Sequence, residues 1–256
     1  MTNASTEHDP LPLIQAHRGA SKDCPENSLA AFREAARQGA RWIEFDVRLS
    51  ADEIPVTCHD ASLERTGNNP VIIREHPATA IVGQDIGHVF DHSFRNEPLP
   101  SLQETIRLFA ELGLQGNIEI KSISSPAEEE LSAIAVCECI RTHWPDDKPL
   151  PLISSFHWGC LKKISDIMPE LRLGYLVEEL PDDWKEKAAA INSYAIHPWH
   201  EPLTADQVRS IREEGYKVAV YTVNDTARAH ALLDMGVDSI ITDVPAVMLE
   251  SLSSRT

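Results

Sequence analysis

Short β-rich apolar runs alternate with amphipathic stretches along nearly the whole of this 256-residue chain. That rhythm constrains the fold more than any single motif. Strand-like runs fall at 13–17, 42–49, 117–121, 152–156, 171–177, 194–197, 217–223 and 239–242, eight in all, with a shorter extended piece at 55–58. After Pro25-Glu26-Asn27, the residues Leu29, Phe32 and Ala36 share one helical face, which Gly39 closes. Ser101 with Glu104 makes a capping box ahead of Leu102, Ile106 and Phe109, and Thr204 with Gln207 repeats it. Further helices are expected at 134–140, 161–167, 184–190, 208–214 and 227–235, with Gly215 and Gly236 as stops. Strands that each feed a helix must pair in parallel, and eight such units in about 250 residues close into a ring. The expectation is an α/β chain, a TIM (β/α)8 barrel with a small insertion after the second strand.

No linker divides the chain, so a single barrel domain is expected over 13–254, after a polar N-terminal tail at 1–12. One interval breaks the rhythm. Residues 61–99 show no helical period and carry His76, His88 and His92. A loop this long in a compact domain is usually a functional cover or a small subdomain. It leaves the chain beside His59, so it is expected as an insertion over the barrel mouth. A lid that helps choose the substrate and an inert insertion are the two readings.

The formal net charge is −17. Such a field repels nucleic acid and anionic bilayers, so neither is an expected partner. An anionic small molecule can bind only where a metal or a few Arg and Lys concentrate positive charge. The cysteines Cys24, Cys58, Cys137, Cys139 and Cys160 have no metal-type spacing, and free thiols suit a reducing cytosol. No apolar secretory core opens the chain, and no segment approaches membrane-spanning length. A cytoplasmic chain without stable membrane association is expected.

Glu44 and Asp46 are two apart in a strand and point the same way, a spacing that Glu119 and Lys121 repeat. Inward barrel positions are ordinarily apolar and branched, and carboxylates placed there carry a heavy desolvation cost unless a cation compensates. Three carboxylates without a cysteine cluster describe a hard oxygen site suited to Mg²⁺ or Ca²⁺. The plainer reading of Glu44 and Asp46 is a salt-bridged strand end, with Arg41 or Arg48. His17 and His59 each have a structural reading as strand-end or turn histidines. As a pair they suit phosphodiester cleavage, in which one group takes a proton from the nucleophile and another gives one to the leaving alkoxide. Arg18 and Lys121 would then hold the non-bridging phosphate oxygens.

The segments Gln15-Ala16-His17-Arg18-Gly19, Pro25-Glu26-Asn27-Ser28, Ile43-Glu44-Phe45-Asp46-Val47, Cys58-His59-Asp60 and Ile118-Glu119-Ile120-Lys121 resemble the glycerophosphodiester phosphodiesterase family. Ser154-Ser155-Phe156, Tyr221-Thr222-Val223-Asn224 and the DSIITDVP stretch at 238–245 are similar to that family's C-terminal half. The resemblance covers nearly the whole chain. It implies a barrel hydrolase that splits glycerophosphodiesters, small-molecule substrates, into sn-glycerol 3-phosphate and an alcohol with a divalent cation. It also implies His17 and His59 as acid and base, Glu44, Asp46 and Glu119 as metal ligands, and Arg18 and Lys121 around the phosphate. The family usually carries Trp where this chain has Tyr221, a departure that bears on the alcohol rather than on the reaction. Glu26 is either a pocket residue or an acid favoured by the helix dipole. Trp199, after His197 and Pro198, is either a lining of the mouth or a packed strand-end aromatic. His157 and His200 receive no role. Two rival activities are a phospholipase-type phosphodiesterase of the same barrel group and a barrel aldolase with Lys121 as Schiff base; a binding protein or inactive relative is a third reading, set against the presence of both histidines and all three candidate ligands.

Overall fold

The computed structural model describes residues 11–121 and 125–255. Its strands are β1 Ile14–His17, β2 Trp42–Leu49, β3 Pro55–Thr57, β4 Gln115–Ile120, β5 Leu152–Ser155, β6 Arg172–Val177, β7 Ala195–Pro198, β8 Lys217–Val220 and β9 Ser239–Thr242. Its helices are α1 Leu29–Arg37, α2 Glu64–Gly67, α3 Ala78–Ile81, α4 Leu102–Leu112, α5 Pro126–His143, α6 Trp158–Ile167, α7 Trp184–Ala190, α8 Ala205–Glu213, α9 Thr226–Asp234 and α10 Pro245–Ser251. Eight strands pair in parallel and the ring closes where β1 meets both β9 and β2. The expected TIM barrel is the fold observed.

The ninth strand, β3, has a geometric cause. β2 has 8 residues and β1 only 4. β1 pairs with β2 at Ile43 and Glu44, so the far end of β2 overhangs the ring with one edge open. β3 fills that edge antiparallel, setting Val47 against Thr57 and Leu49 against Pro55. An unpaired row of backbone groups is thereby satisfied.

Both expected capping boxes form. Ser101 and Glu104 exchange side-chain bonds with each other's backbone N–H, as do Thr204 and Gln207. α5 starts well before the expected position 134, because Ser125 caps it and Pro126 takes the first turn. Between sheet and helices, Phe32, Phe45 and Phe109 contact one another with ring centroids 5.2, 5.5 and 5.6 Å apart, locking α1, β2 and α4 together.

Inside the barrel, Trp42, Leu152, Ala195, Ala219 and Ile241 form an apolar floor that Leu11 closes from below. Leu11 was assigned by sequence to the polar tail; residues 1–10 of that tail lie outside the described residues. Toward the strand C-termini the floor gives way to a polar layer. Gln15 donates to Ser239 at 3.0 Å, Asn117 to Gln15 at 3.0 Å, and Ser154 to Asn117 at 2.9 Å. His197 is fully buried against β6, where a Cβ on Gly174 would come within 2.6 Å of its ring, so only glycine fits there.

The interval 61–99 is ordered. α2 and α3 have four residues each, too short to leave a period in sequence. Leu63, Ile73, Ile81, Ile86 and Leu99 pack with Val56 and Cys58 into a cluster separate from the barrel core. Arg74 pins this unit to α5 with two bonds to Glu128, at 2.8 and 2.9 Å, and Glu97 accepts from the backbone of Ala30 at 2.9 Å.

Candidate active site

The C-terminal ends of β1, β2 and β4 converge with the chain after β3. β2 alternates, so Glu44 and Asp46 both face inward, and the pairing of Asp46 with Glu119 on β4 brings the third carboxylate beside them. Ligand oxygens of Glu44, Asp46 and Glu119 all lie within 4.8 Å of one another, and all three residues are buried. The β1–α1 turn wraps over them with two residues in the left-handed region, Arg18 at φ 55° and Asn27 at φ 56°. Such backbone is costly for a side-chain-bearing residue and persists only where its surroundings hold it. Here they do. The Arg18 N–H donates to the Glu44 carbonyl at 2.7 Å, and a Cβ on Gly19 would collide with Ala31 at 2.7 Å. Asn27 clamps Asp46, donating to Oδ2 at 2.8 Å and accepting from the Asp46 N–H at 3.1 Å.

Burial and the neighbouring carboxylates Asp46 and Glu119 push Glu44 well above the usual carboxylate range. Burial and Asp46 raise Glu119 to about 7 against the pull of Lys121. Burial acts on Asp46 too, but Arg18, Lys121, His59 and the Asn27 bond outweigh it and hold that carboxyl at about 2. Asp46 Oδ1 is buried without a hydrogen-bond partner, the Lys121 ammonium standing 3.4 Å away, while Glu119 Oε1 is met by that ammonium at 2.5 Å. Oxygen-only donors, mutually repelling and partly unsatisfied, fit a hard divalent cation.

Each histidine is held from behind by a carboxylate. His17 Nδ1 lies 2.6 Å from Asp243 Oδ1, and its Nε2 points toward Glu44 at 3.9 Å. Asp243 also accepts from Ser21 and Asn224, and these bonds with His17 hold it at about 2 despite its burial. His59 comes to the mouth because the Cys58 N–H donates to the Asp46 carbonyl at 3.0 Å, just past β3. Its Nδ1 lies 2.7 Å from Asp60 Oδ1. Burial lowers the His59 pKa, reinforced by Arg18 and Lys121 and opposed by Asp46 and Asp60. In both rings the carboxylate contact falls on Nδ1.

Arg18 Nε is 3.1 Å from Asp46 Oδ2, and burial does not discharge the guanidinium because Asp46, Glu26 and Glu44 surround it. Beyond Lys121 stands an aromatic wall: Phe156 lies 5.7 Å from the ammonium, and Tyr221 packs edge-on against Phe156 at 5.8 Å. The Tyr221 hydroxyl donates to the Val177 carbonyl at 3.0 Å. Trp199 bridges Tyr221 through its backbone, is 43% exposed, and lines a neighbouring cavity of about 260 Å³ with Glu178 and Glu179. Glu26 uses its carboxylate on two guanidiniums, Arg18 at 2.8 Å and Arg65 at 2.6 and 2.8 Å.

Residues 17–247 match the glycerophosphoryl diester phosphodiesterase family. The chain belongs to that family. A glycerophosphodiester phosphodiesterase of Caldanaerobacter subterraneus is 32% identical over 93% of this chain and 96% of its own length. One from Bacillus subtilis is 30% identical over 91% and 84%. A phosphodiesterase from Oleispira antarctica, solved with its product sn-glycerol-3-phosphate, superposes with a TM-score of 0.90 at 34% identity, covering 95% of this chain and 97% of that one.

Within this glycerophosphodiester phosphodiesterase chain, the structure brings His17, Arg18, Glu44, Asp46, His59, Glu119 and Lys121 together at the C-terminal end of the barrel. Glu26 stands behind Arg18, Tyr221 on the facing wall and Trp199 on the rim. Sequence reasoning missed Asp243, Asn27 and Arg65 as parts of the site. Asn27 and Asp243 lay inside motif segments as polar residues at a turn or strand end without any role of their own, whereas Arg65 lies in α2 within the 61–99 interval, where no sequence signal marked it.

Proposed function

We propose that this enzyme hydrolyses glycerophosphodiesters to glycerol 3-phosphate and an alcohol with a divalent cation, Mg²⁺ or Ca²⁺, and with His17 and His59 as the proton-transferring pair. The observation that carries the reading is three converging buried carboxylates flanked by two imidazoles, each backed by its own carboxylate. Glu44, Asp46 and Glu119 would hold the cation, which when bound polarises a phosphoryl oxygen and neutralises charge developing on it. Arg18 and Lys121 supply the remaining local positive charge, so the phosphate finds a binding point within an acidic surface. The Asp243 and Asp60 bonds fix each imidazole's orientation and tautomer, so that one ring accepts a proton as the other gives one.

The aldolase alternative needs a neutral Lys121 amine as nucleophile. Burial lowers the Lys121 pKa, but Asp46 and Glu119 outweigh it and keep the group an ammonium. A cytoplasmic setting is supported by five free cysteines. Among the described residues no helix is long and apolar enough to cross a membrane.

The test is release of glycerol 3-phosphate from several glycerophosphodiesters, with EDTA and with added cations. Chelation is expected to abolish turnover and Mg²⁺ or Ca²⁺ to restore it. Turnover that survives exhaustive chelation would remove the cation from the mechanism.

A further inference from the structure

Among the described residues, Arg65 is the insertion side chain that hydrogen-bonds to this constellation. It sits in α2, and its guanidinium lies between two groups of the site. Nε donates to Asp60 Oδ2 at 2.7 Å, while Nη1 and Nη2 donate to Glu26 Oε2 and Oε1 at 2.6 and 2.8 Å. Asp60 turns its other oxygen to His59 Nδ1 at 2.7 Å. Glu26 Oε1 also receives Arg18 Nη1 at 2.8 Å, and Arg18 Nε reaches Asp46. One unbroken series therefore runs from the His59 imidazole through Asp60, Arg65 and Glu26 to the Arg18 guanidinium.

Two facts argue that this series positions groups rather than holding the fold. The Arg65 side chain is 50% exposed, and exposed ion pairs contribute little to stability. The apolar cluster and the Arg74 bonds to Glu128 already seat the insertion independently. A planar fork that grips two carboxylates at once instead fixes directions, which a lysine point charge does not.

We propose that Arg65 is a positioning residue through which the insertion sets the ring of His59 and the guanidinium of Arg18. The proposal rests on the glycerophosphodiesterase reading for its kinetic consequences, but not for its structural one. Without Arg65, Asp60 loses the partner that orients it, and His59 swings out of line with the reacting phosphate. Glu26 then turns to solvent and Arg18 loses its outer support.

Two measurements on the full chain test this, one of them independent of turnover. In the NMR spectrum the downfield Nδ1–H resonance of His59 is expected in the parent protein and lost to exchange in Arg65→Ala, while that of His17 persists. In steady-state assays Arg65→Ala is expected to lower kcat about 10- to 100-fold, the usual cost of removing an orienting partner, with KM within about threefold. Added guanidinium at non-denaturing concentration is expected to recover part of the loss, and Arg65→Lys, which cannot grip both carboxylates, to stay close to Arg65→Ala. Arg74→Ala, which loosens the insertion at its other anchor, is expected to stay within about twofold of the parent. An unchanged His59 resonance in Arg65→Ala would overturn the proposal, as would equal losses in Arg65→Ala and Arg74→Ala without recovery by guanidinium. A parent protein with the His59 resonance present, Arg65-dependent and yet no glycerol 3-phosphate release would instead remove the functional reading and leave the positioning role standing.

Discussion

Replacing Glu119 by Gln isolates the electrostatic load of the carboxylate triad. Burial and Asp46 raise Glu119 from its ordinary 4.5 to about 7. A carboxyl whose folded pKa is raised keeps its proton when the unfolded chain has lost it, so stability falls as pH rises from the unfolded value through the folded one. Full development of that shift corresponds to about 3 kcal/mol, and the part lost between about pH 5.5 and 8.5 is about 2 kcal/mol. Gln does not titrate. Urea unfolding of the chelated parent should therefore lose about 2 kcal/mol more over that range than chelated Glu119→Gln. Saturating Mg²⁺ or Ca²⁺ should remove the parent's loss at high pH by mass action and do much less for the variant, which lacks one ligand charge. Parallel pH dependences in the two chelated proteins would refute the assignment of strain to Glu119. A parent protein whose unfolding ignores both cations would refute the metal site itself.

Exchanging either proposed proton carrier, in His17→Ala or His59→Ala, should lower kcat by about two to four orders of magnitude with unchanged circular dichroism. Asp243→Asn should reduce kcat about 10- to 100-fold by loosening His17. The same substitution should flatten acid unfolding: a carboxyl depressed from 3.8 to about 2 stabilises above the unfolded value and loses that contribution as pH falls through the folded one. Partial exposure of its side chain brings the expected difference to on the order of 1 kcal/mol, measured by urea unfolding at about pH 2.5 and 5. Phe109→Ala breaks the aromatic trio and should cost about 3–5 kcal/mol in urea unfolding without changing the metal response.

The barrel was legible because its signals are local. Period-2 runs, two capping boxes and glycine stops each lie within a few neighbouring residues, and all eight ring strands were recovered. β8 ends at Val220 rather than running to 223, since Tyr221 keeps only an isolated bridge to Trp199 and Val223 turns its N–H to the Ile241 carbonyl within the core. The overhang that creates β3 was not legible, because it follows from unequal lengths of β1 and β2, which only pairing reveals. The insertion's helices are single turns held by tertiary packing, so no periodicity announces them. At the site, the carboxylate triad could be read from spacing two apart on strands. Asp243 could not. It meets His17 only because β9 closes on β1, a contact 226 residues apart in sequence. Asn27 and Arg65 were obscured in the same way, since their partners are fixed by a turn and by a short helix rather than by a repeating element.

The separate apolar cluster of the 61–99 unit gives the molecule a division of labour. A residue swap among Ile73, Ile81 or Ile86 repacks a private interior and leaves the Phe32–Phe45–Phe109 contacts untouched. Such a cassette can drift in its own packing while the barrel's aromatic trio stays constant. What ties it to the barrel's mouth is the Arg65 fork on Asp60 and Glu26, so any drift of α2 is felt there first.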